Sequence, residues 1–310
     1  MKQFMCMFLF LTTLYGVTFE EATLNFNNKN YIEAYDQFSE LALNDDANAQ
    51  YNVALMNYRG LGVVKNDKLA FFWYEKSALN GNAAAQNNLA HMYYLGEFVK
   101  KDLELAEKWY KFAAETGYPL AQLNIAMLYE LSTNEGKVKE ALSWYEKASL
   151  QGVILAQNNL GKMYYTGRGT KVNKEKALYW FTKASDASNP IAQANLAIMY
   201  LTADGVEIDV DKAVDLLTKS AEQNNLSAMI KLADIYGNNN TIDKDYKKSF
   251  YWYNKAMEFN SISAIFHVGM YYYNGYGVLK DEEKGIKYVK EAKAKGYRRA
   301  DSFLKLNNIE

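Results

Sequence analysis

The sequence predicts an all-α solenoid of stacked helix pairs, and three observations carry that prediction. An alanine returns at Ala49, Ala85, Ala121, Ala156, Ala192, Ala228, Ala264 and Ala300, at a spacing of 36 residues broken once by 35. A large apolar residue keeps the same beat at Trp73, Trp109, Trp144, Trp180, Leu216, Trp252 and Tyr288. Proline occurs only twice, at Pro119 and Pro190, which suits a chain helical almost throughout, because proline breaks helix interiors. A period of this length means one supersecondary unit per repeat, stacked on its neighbours to bury a continuous core.

The first helix of each unit carries the anchor alanine. Four residues on comes an apolar residue (Val53, Leu89, Ile125, Leu160, Leu196, Leu232, Val268), and then a small one (Ala54, Ala90, Ala126, Gly161, Ala197, Ala233, Gly269). Three residues later stands Tyr93, Tyr129, Tyr164, Tyr200, Tyr236 or Tyr272. Spacings of three and four put these on one helical face. The small residue admits a neighbouring helix, and the tyrosine packs its ring while its hydroxyl reaches water.

A glycine turn follows, paired at Gly60 and Gly62, Gly167 and Gly169, and Gly275 and Gly277, and single at Gly96. Asn66, Asp102, Asn173, Asp209, Asp245 and Asp281 then stand where a helix N-cap belongs, side chains that satisfy the free N–H groups of a helix start. The second helix carries a small residue four places after the cap and then an aromatic pair such as Trp73-Tyr74 or Trp109-Tyr110, with Trp109 predicted to be a buried anchor. It ends at Gly81, Gly117, Gly152, Asn224, Asn260 or Gly296, residues that tolerate the left-handed conformation closing a helix. The third unit departs most: Ser132 to Lys139 lacks paired glycines and a cap in register, so a different turn is expected there.

Seven full repeats therefore run over residues 49–299. Residues 20–48 read as a degenerate capping repeat with a second helix over Tyr31 to Leu43, and residues 300–310 as a closing half-repeat. Residues 1–19 read as a cleavable export signal: Met1-Lys2, an apolar run from Phe4 to Leu14, and polar residues from Glu20. That run is short for a bilayer span, and cleavage is placed between Gly16 and Phe19. A periodic apolar stretch of transmembrane length does not recur, so the expected location is periplasmic or secreted. Cys6 is the only cysteine, so the mature chain is expected to have no disulfide and no thiol nucleophile.

The pattern Ala-x-x-x-Leu-Gly/Ala-x-x-Tyr, then Gly-x-Gly-Val, Asp-x-x-Lys-Ala and Trp-Tyr-x-Lys-Ala, resembles the Sel1-like repeat, a relative of the tetratricopeptide repeat. Gly275-Tyr276-Gly277-Val278 and Trp73-Tyr74-Glu75-Lys76-Ser77-Ala78 are close matches. The resemblance covers roughly residues 30 to 306 and implies a right-handed α-solenoid whose first helices line the concave face. It also implies an adaptor that gathers protein or peptide partners, of the bacterial exported type. The cysteine-rich Sel1-like proteins of Helicobacter share the period and are sometimes described as β-lactamases. Their hallmark disulfide in each repeat is missing here, so β-lactamase or penicillin-binding activity stands as the alternative reading.

Enzymatic signals are poor. His91 and His267 are the only histidines and lie in different repeats, which speaks against a histidine base beside a nucleophile and against zinc. No catalytic residue, metal or cofactor is expected. Tyr165-Thr166-Gly167-Arg168-Gly169-Thr170-Lys171 has the wrong spacing for a phosphate loop and shares its register with the turns at Gly60 and Gly275. Ser302-Phe303-Leu304-Lys305 matches Ser-x-x-Lys, without the Lys-Thr-Gly or Ser-Asp-Asn that would accompany it. Asp45-Asp46 and Asp209/Asp211 lie in no calcium loop. The net charge is -1, without the basic field that nucleic acid requires, and the chain is expected to be monomeric.

The third residue after each anchor alanine is Asn52, Asn88, Asn124, Asn159 and Asn195, then Lys231 and His267. One turn further stand His91 and Lys162 among Leu55, Met127, Ile198, Asp234 and Met270. By the tetratricopeptide analogy, Asn52, Asn88, His91, Asn124, Asn159, Lys162 and Asn195 face the groove. An amide offers donor and acceptor together, so such a row suits the backbone of an extended peptide. The same row also suits bonds between neighbouring helices, and the sequence leaves both readings open.

Overall fold

The computed structural model describes residues 17–238 and 243–309, and among them every regular element is an α-helix. The export segment expected over residues 1–19 lies outside the described residues as far as residue 16. The chain divides into two compact units, residues 1–153 and 154–310.

The first unit holds α1 (Phe19–Asn27), α2 (Tyr31–Leu43), α3 (Ala47–Arg59), α4 (Asp67–Leu79), α5 (Ala83–Leu95), α6 (Leu103–Glu115), α7 (Pro119–Glu130) and α8 (Glu135–Leu150). The second holds α9 (Ile154–Thr166), α10 (Lys174–Asp186), α11 (Pro190–Thr202), α12 (Val210–Glu222), α13 (Leu226–Gly237), α14 (Tyr246–Glu258), α15 (Ile262–Asn274), α16 (Glu282–Ala294) and α17 (Arg298–Leu306). Within each unit the helices pack in consecutive pairs, and each pair stacks on the next.

The starts and stops follow local chemistry. Asn66, Asp102, Asn173, Asp209, Asp245 and Asp281 each accept a backbone N–H inside the following helix. A second set of caps precedes the anchor alanines: Asp46, Asn82, Asn189, Asn225 and Ser261 accept from the N–H of Ala49, Ala85, Ala192, Ala228 and Ala264. Gly81, Gly117, Gly152, Asn224, Asn260 and Gly296 all have positive φ, as the closing residues should. Gly62 shows why the second turn glycine recurs: a Cβ there would sit 2.3 Å from the Tyr31 carbonyl oxygen at the start of α2. Gly277 meets the Tyr246 carbonyl oxygen at 2.4 Å in the same way. Each such turn is keyed onto the start of the preceding second helix.

The third unit solves its missing cap by lengthening the helix. Asn134 caps α8, accepting from Gly136 and Lys137, so α8 spans 16 residues where its counterparts span 13. At the small position, α15 and α16 cross on glycines, with a Cβ on Gly269 only 2.9 Å from the Gly285 carbonyl oxygen.

The core differs from expectation in one respect. The second member of the aromatic pair is the more deeply buried one: Tyr74, Tyr110, Tyr145, Phe181, Leu217 and Tyr253 are all at most 3% exposed, while of the first members only Trp144 and Leu216 are buried, at 9% and 8%. Trp73 and Trp109 are only half-buried, which corrects the assignment of Trp109 as a fully buried anchor. The physical reason is position on the helix: Trp73 lies at the seam between two core clusters, the one that holds Phe38 and Met56 and the one that holds Tyr74 and Leu89. A seam residue keeps one ring edge in solvent.

Buried amides tie the stacked pairs. Gln50, Gln86 and Gln122 follow the anchor alanine, are at most 8% exposed, and donate Nε2 to the carbonyls of Ala42, Ala78 and Ala114 in the preceding second helix. On the other side Asn80, Gln151 and Gln223 donate to the Oε1 of Gln50, Gln122 and Gln193. Each glutamine thus satisfies a helix C-terminal carbonyl that would otherwise be left without a partner.

Candidate functional site

The first helices, α3, α5 and α7 in one unit and α9, α11, α13 and α15 in the other, carry the residues expected to meet a partner. The structure gives the asparagine row a definite job. Asn124 donates Nδ2 to Asn87 Oδ1 at 2.8 Å, bridging α7 to α5, and Asn87 donates onward to Asn88 Oδ1 at 3.3 Å. The second unit repeats the relay: Asn195 donates to Asn158 Oδ1 at 3.1 Å, and Asn158 donates to Asn159 Oδ1 at 3.2 Å. Asn87 and Asn158, one residue before the row, are the buried hubs. Asn52 is half-buried with no hydrogen bond among the described residues. Asn88, Asn124, Asn159 and Asn195 are half-buried too.

Beyond the relay, His91 and Lys162 are exposed, and Met127 is 41% exposed. In the first unit a hollow of about 220 Å³ opens between α3 and α5. Leu55, Tyr58, Tyr74 and Met92 wall it, with Arg59, Asn88, His91 and Glu97 as its polar members. Tyr58 donates its hydroxyl to Glu97 at 3.1 Å. Burial and then that carboxylate push the Tyr58 phenol above its usual range, so it stays a neutral donor. Burial pushes the Tyr74 hydroxyl up as well, with the Asn88 amide acting against it. Arg59 and Glu97 were not among the expected site residues. Arg59 does not recur in phase, and the Glu97 carboxylate returns only once, as Asp204 beside Tyr165, so periodicity gave little signal for them.

In the second unit Lys231 is exposed, while His267 is a packing group. Its imidazole stacks on Tyr253 with ring centroids 4.5 Å apart and planes 6° from parallel. Tyr253 in turn donates its hydroxyl to Asp234. Burial holds His267 below the usual histidine range, Asp234 opposes that, and Arg299 adds to it.

The inner-helix tyrosines have a common companion. Lys176, Lys212, Lys248 and Lys284, each three residues after its cap, hold their ammonium groups 4.0–5.0 Å from the ring centroids of Tyr164, Tyr200, Tyr236 and Tyr272. These contacts explain why the Asp-x-x-Lys pattern and the tyrosine travel together, as cation–π pairs between the two helices of a repeat.

The motifs suggestive of chemistry resolve into structure. Gly167 and Gly169 take positive φ in the turn after α9, as Gly60 and Gly62 do after α3. Ser302 donates to the Arg298 carbonyl in its own helix, and Lys305 pairs with Asp301 at 2.7 Å, so serine and lysine are not engaged with each other. No group of three or more potential metal ligands occurs among the described residues. No described helix is long and apolar enough to cross a membrane.

Comparison with known proteins places this architecture. The Sel1 repeat model matches seven times, over residues 47–82, 83–118, 119–153, 154–189, 190–225, 226–258 and 262–297. A search of curated proteins gives no match. Among solved structures, the chain is similar to a protective antigen of uropathogenic Escherichia coli displaying an SLR fold, at 31% identity and a TM-score of 0.77. That alignment covers 88% of this chain and 59% of the E. coli one, so the chain spans little more than half of that relative. A Sel1 repeat protein from Oxalobacter formigenes aligns at 26% identity and a TM-score of 0.73, over 88% of this chain and 80% of its own. The seven repeat matches, the paired helices and these neighbours agree: the chain is an all-α solenoid and belongs to the Sel1 repeat family.

Proposed function

We propose that this chain is an exported scaffold that binds a protein or peptide through the outward edge of its first helices. The hollow between α3 and α5 is the observation that carries the reading. It combines apolar walls with a guanidinium, an imidazole, an amide and a carboxylate, the mixture that suits a peptide side chain and its backbone. The half-buried amides of Asn88, Asn124 and Asn195 on the first helices support it. Family membership supports the scaffold role, since Sel1 repeat proteins are in general interaction modules rather than enzymes.

The test is a pair of variants on one preparation, after affinity capture from an envelope fraction has supplied a ligand. Arg59→Ala with His91→Ala removes exposed groups from the hollow. The expected result is a loss of affinity of about tenfold, from two lost polar contacts, with the melting curve unchanged. Asn124→Ala is the contrast, because it breaks the relay to Asn87 and should lower the melting temperature. Full affinity in the folded Arg59/His91 variant would remove the hollow from the binding surface. Export is tested separately: residues 1–25 fused to a periplasm-dependent reporter should activate it, and a reporter left inactive counts against export.

A further inference from the structure

The net charge of -1 conceals a separation of charge along the chain. Residues 17–46 carry seven carboxylates and one lysine, whereas residues 284–305 carry eight Lys or Arg and two carboxylates. We propose that two copies of this chain associate, the acidic outer face of α2 in one against the basic outer face of α16 and α17 in the other.

The acidic face is built and unpartnered. Glu33, Asp36 and Glu40 fall at spacings of three and four on α2, so they share one side of the helix, and all three are exposed. None takes part in an ion pair among the described residues. Ile32 and Leu43 flank them at 70% and 76% exposure. In α4, α10 and α14 the position of Asp36 is filled by Phe72, Tyr179 and Tyr251, which meet the adjacent tryptophan edge-to-face. The first repeat thus replaces the ring with a charge at the centre of its outer face.

The basic face answers it in register. Lys284 and Lys287 stand three and six residues after the Asp281 cap, as Glu33 and Asp36 stand after Asn30. Some of the surrounding charge is spent internally, since Lys293 and Lys305 share Asp301 and Lys295 takes Glu291. Lys287, Lys290, Arg298 and Arg299 are exposed and outside any ion pair among the described residues, and Leu306 beside them is 82% exposed. A single exposed ion pair contributes little. A set of complementary charges sets register and speeds encounter, and the flanking Ile32, Leu43 and Leu306 offer apolar surface to bury. Because the contact joins unlike surfaces it is heterologous, closing as a reciprocal pair or continuing into longer assemblies. Against the expectation of a monomer, the distribution of charge along the chain points to association.

Sedimentation velocity on the full chain tests this. At about 50 mM salt the weight-average mass should rise with protein concentration, and at about 500 mM the association should weaken at least tenfold, as exposed charges are screened. Two variants sharpen the test: Glu33→Gln with Asp36→Asn, and Lys287→Gln with Arg298→Gln and Arg299→Gln. Each alone should stay monomeric, and an equal mixture should give a one-to-one dimer that does not grow, because each variant retains one intact face. Circular dichroism confirms that both remain helical, and the salt dependence of the unaltered chain stands without them. A wild-type chain that stays monomeric at about 100 µM, a concentration that populates contacts of modest affinity, in low salt overturns the proposal. So does association that persists in either variant, or a mixture that yields no dimer.

Discussion

At the scale of single residues, the decisive quantity is how completely a polar or aromatic group finds its partner. Gln86 Oε1 is buried without one, although its counterparts Gln50, Gln122 and Gln193 each accept from an amide at the second-helix C-cap. In this repeat the C-cap is Thr116, whose hydroxyl bonds back to the Ala113 carbonyl instead. Thr116→Gln should therefore supply the missing donor and raise stability by about 1 kcal/mol, read as a higher urea midpoint. The aromatic pair gives a second expectation. Tyr110→Ala should cost about 3–5 kcal/mol, as for a fully buried aromatic, and Trp109→Ala distinctly less. Equal losses in chemical denaturation would place both rings in the core. His267 gives a third. Its folded pKa is depressed by burial between Tyr253 and Phe266, with Asp234 opposing and Arg299 assisting. Below about pH 6.5 the unfolded chain takes up a proton that the folded chain refuses. Stability should then fall as pH drops from that value toward the folded pKa and level off below it, and His267→Phe, which keeps the stack on Tyr253, should flatten that slope.

At the scale of the helix, the sequence announced nearly every boundary, because capping is a local event between residues two or three apart. The six second-helix caps and the closing glycines and asparagines stand where spacing put them. Asn134 shows the limit. It caps α8 out of register, so a search by phase passes over it, although an asparagine followed by Glu135 is itself a helix-start signal. Asn134→Ala should cost about 1 kcal/mol and fray the extra turn first, seen as faster amide exchange at Glu135 to Val138. The tryptophans were misplaced for a related reason. Periodicity reports that a residue is needed at a position but not whether it lies under a helix or at its edge. That distinction depends on the neighbouring repeat as well as its own, since the cluster Trp73 packs against mixes Phe38 of α2 with Met56 of α3. The site was less legible still. Arg59, at the end of α3, and Glu97, in the turn after α5, gain their meaning from lining one hollow, and repetition marks Arg59 not at all and Glu97 only through Asp204. The asparagines were marked by repetition, and Asn124 and Asn195 use their amides to bridge neighbouring helices.

At the scale of the whole chain, the same few connections recur at every step: a glutamine to a carbonyl, a lysine over a tyrosine, a glycine pressed on the start of a helix. Stability in such an array is close to a sum of repeat and interface terms, so damage in one repeat should stay local and broaden the denaturation transition. The keyed glycine turn has a historical consequence as well. Gly62 fits only against the backbone of Tyr31, the start of the second helix one repeat back, and Gly277 fits only against Tyr246. An insertion or deletion within such a keyed turn shifts its glycine off that backbone, and the 35-residue repeat, the one with the shifted cap, lacks the keyed glycines, whereas the loss of one complete unit rejoins equivalent surfaces. Genes for proteins of this kind should therefore gain and lose length in whole periods, and recombination between repeats, rather than drift at their ends, is the route by which such a chain changes its reach.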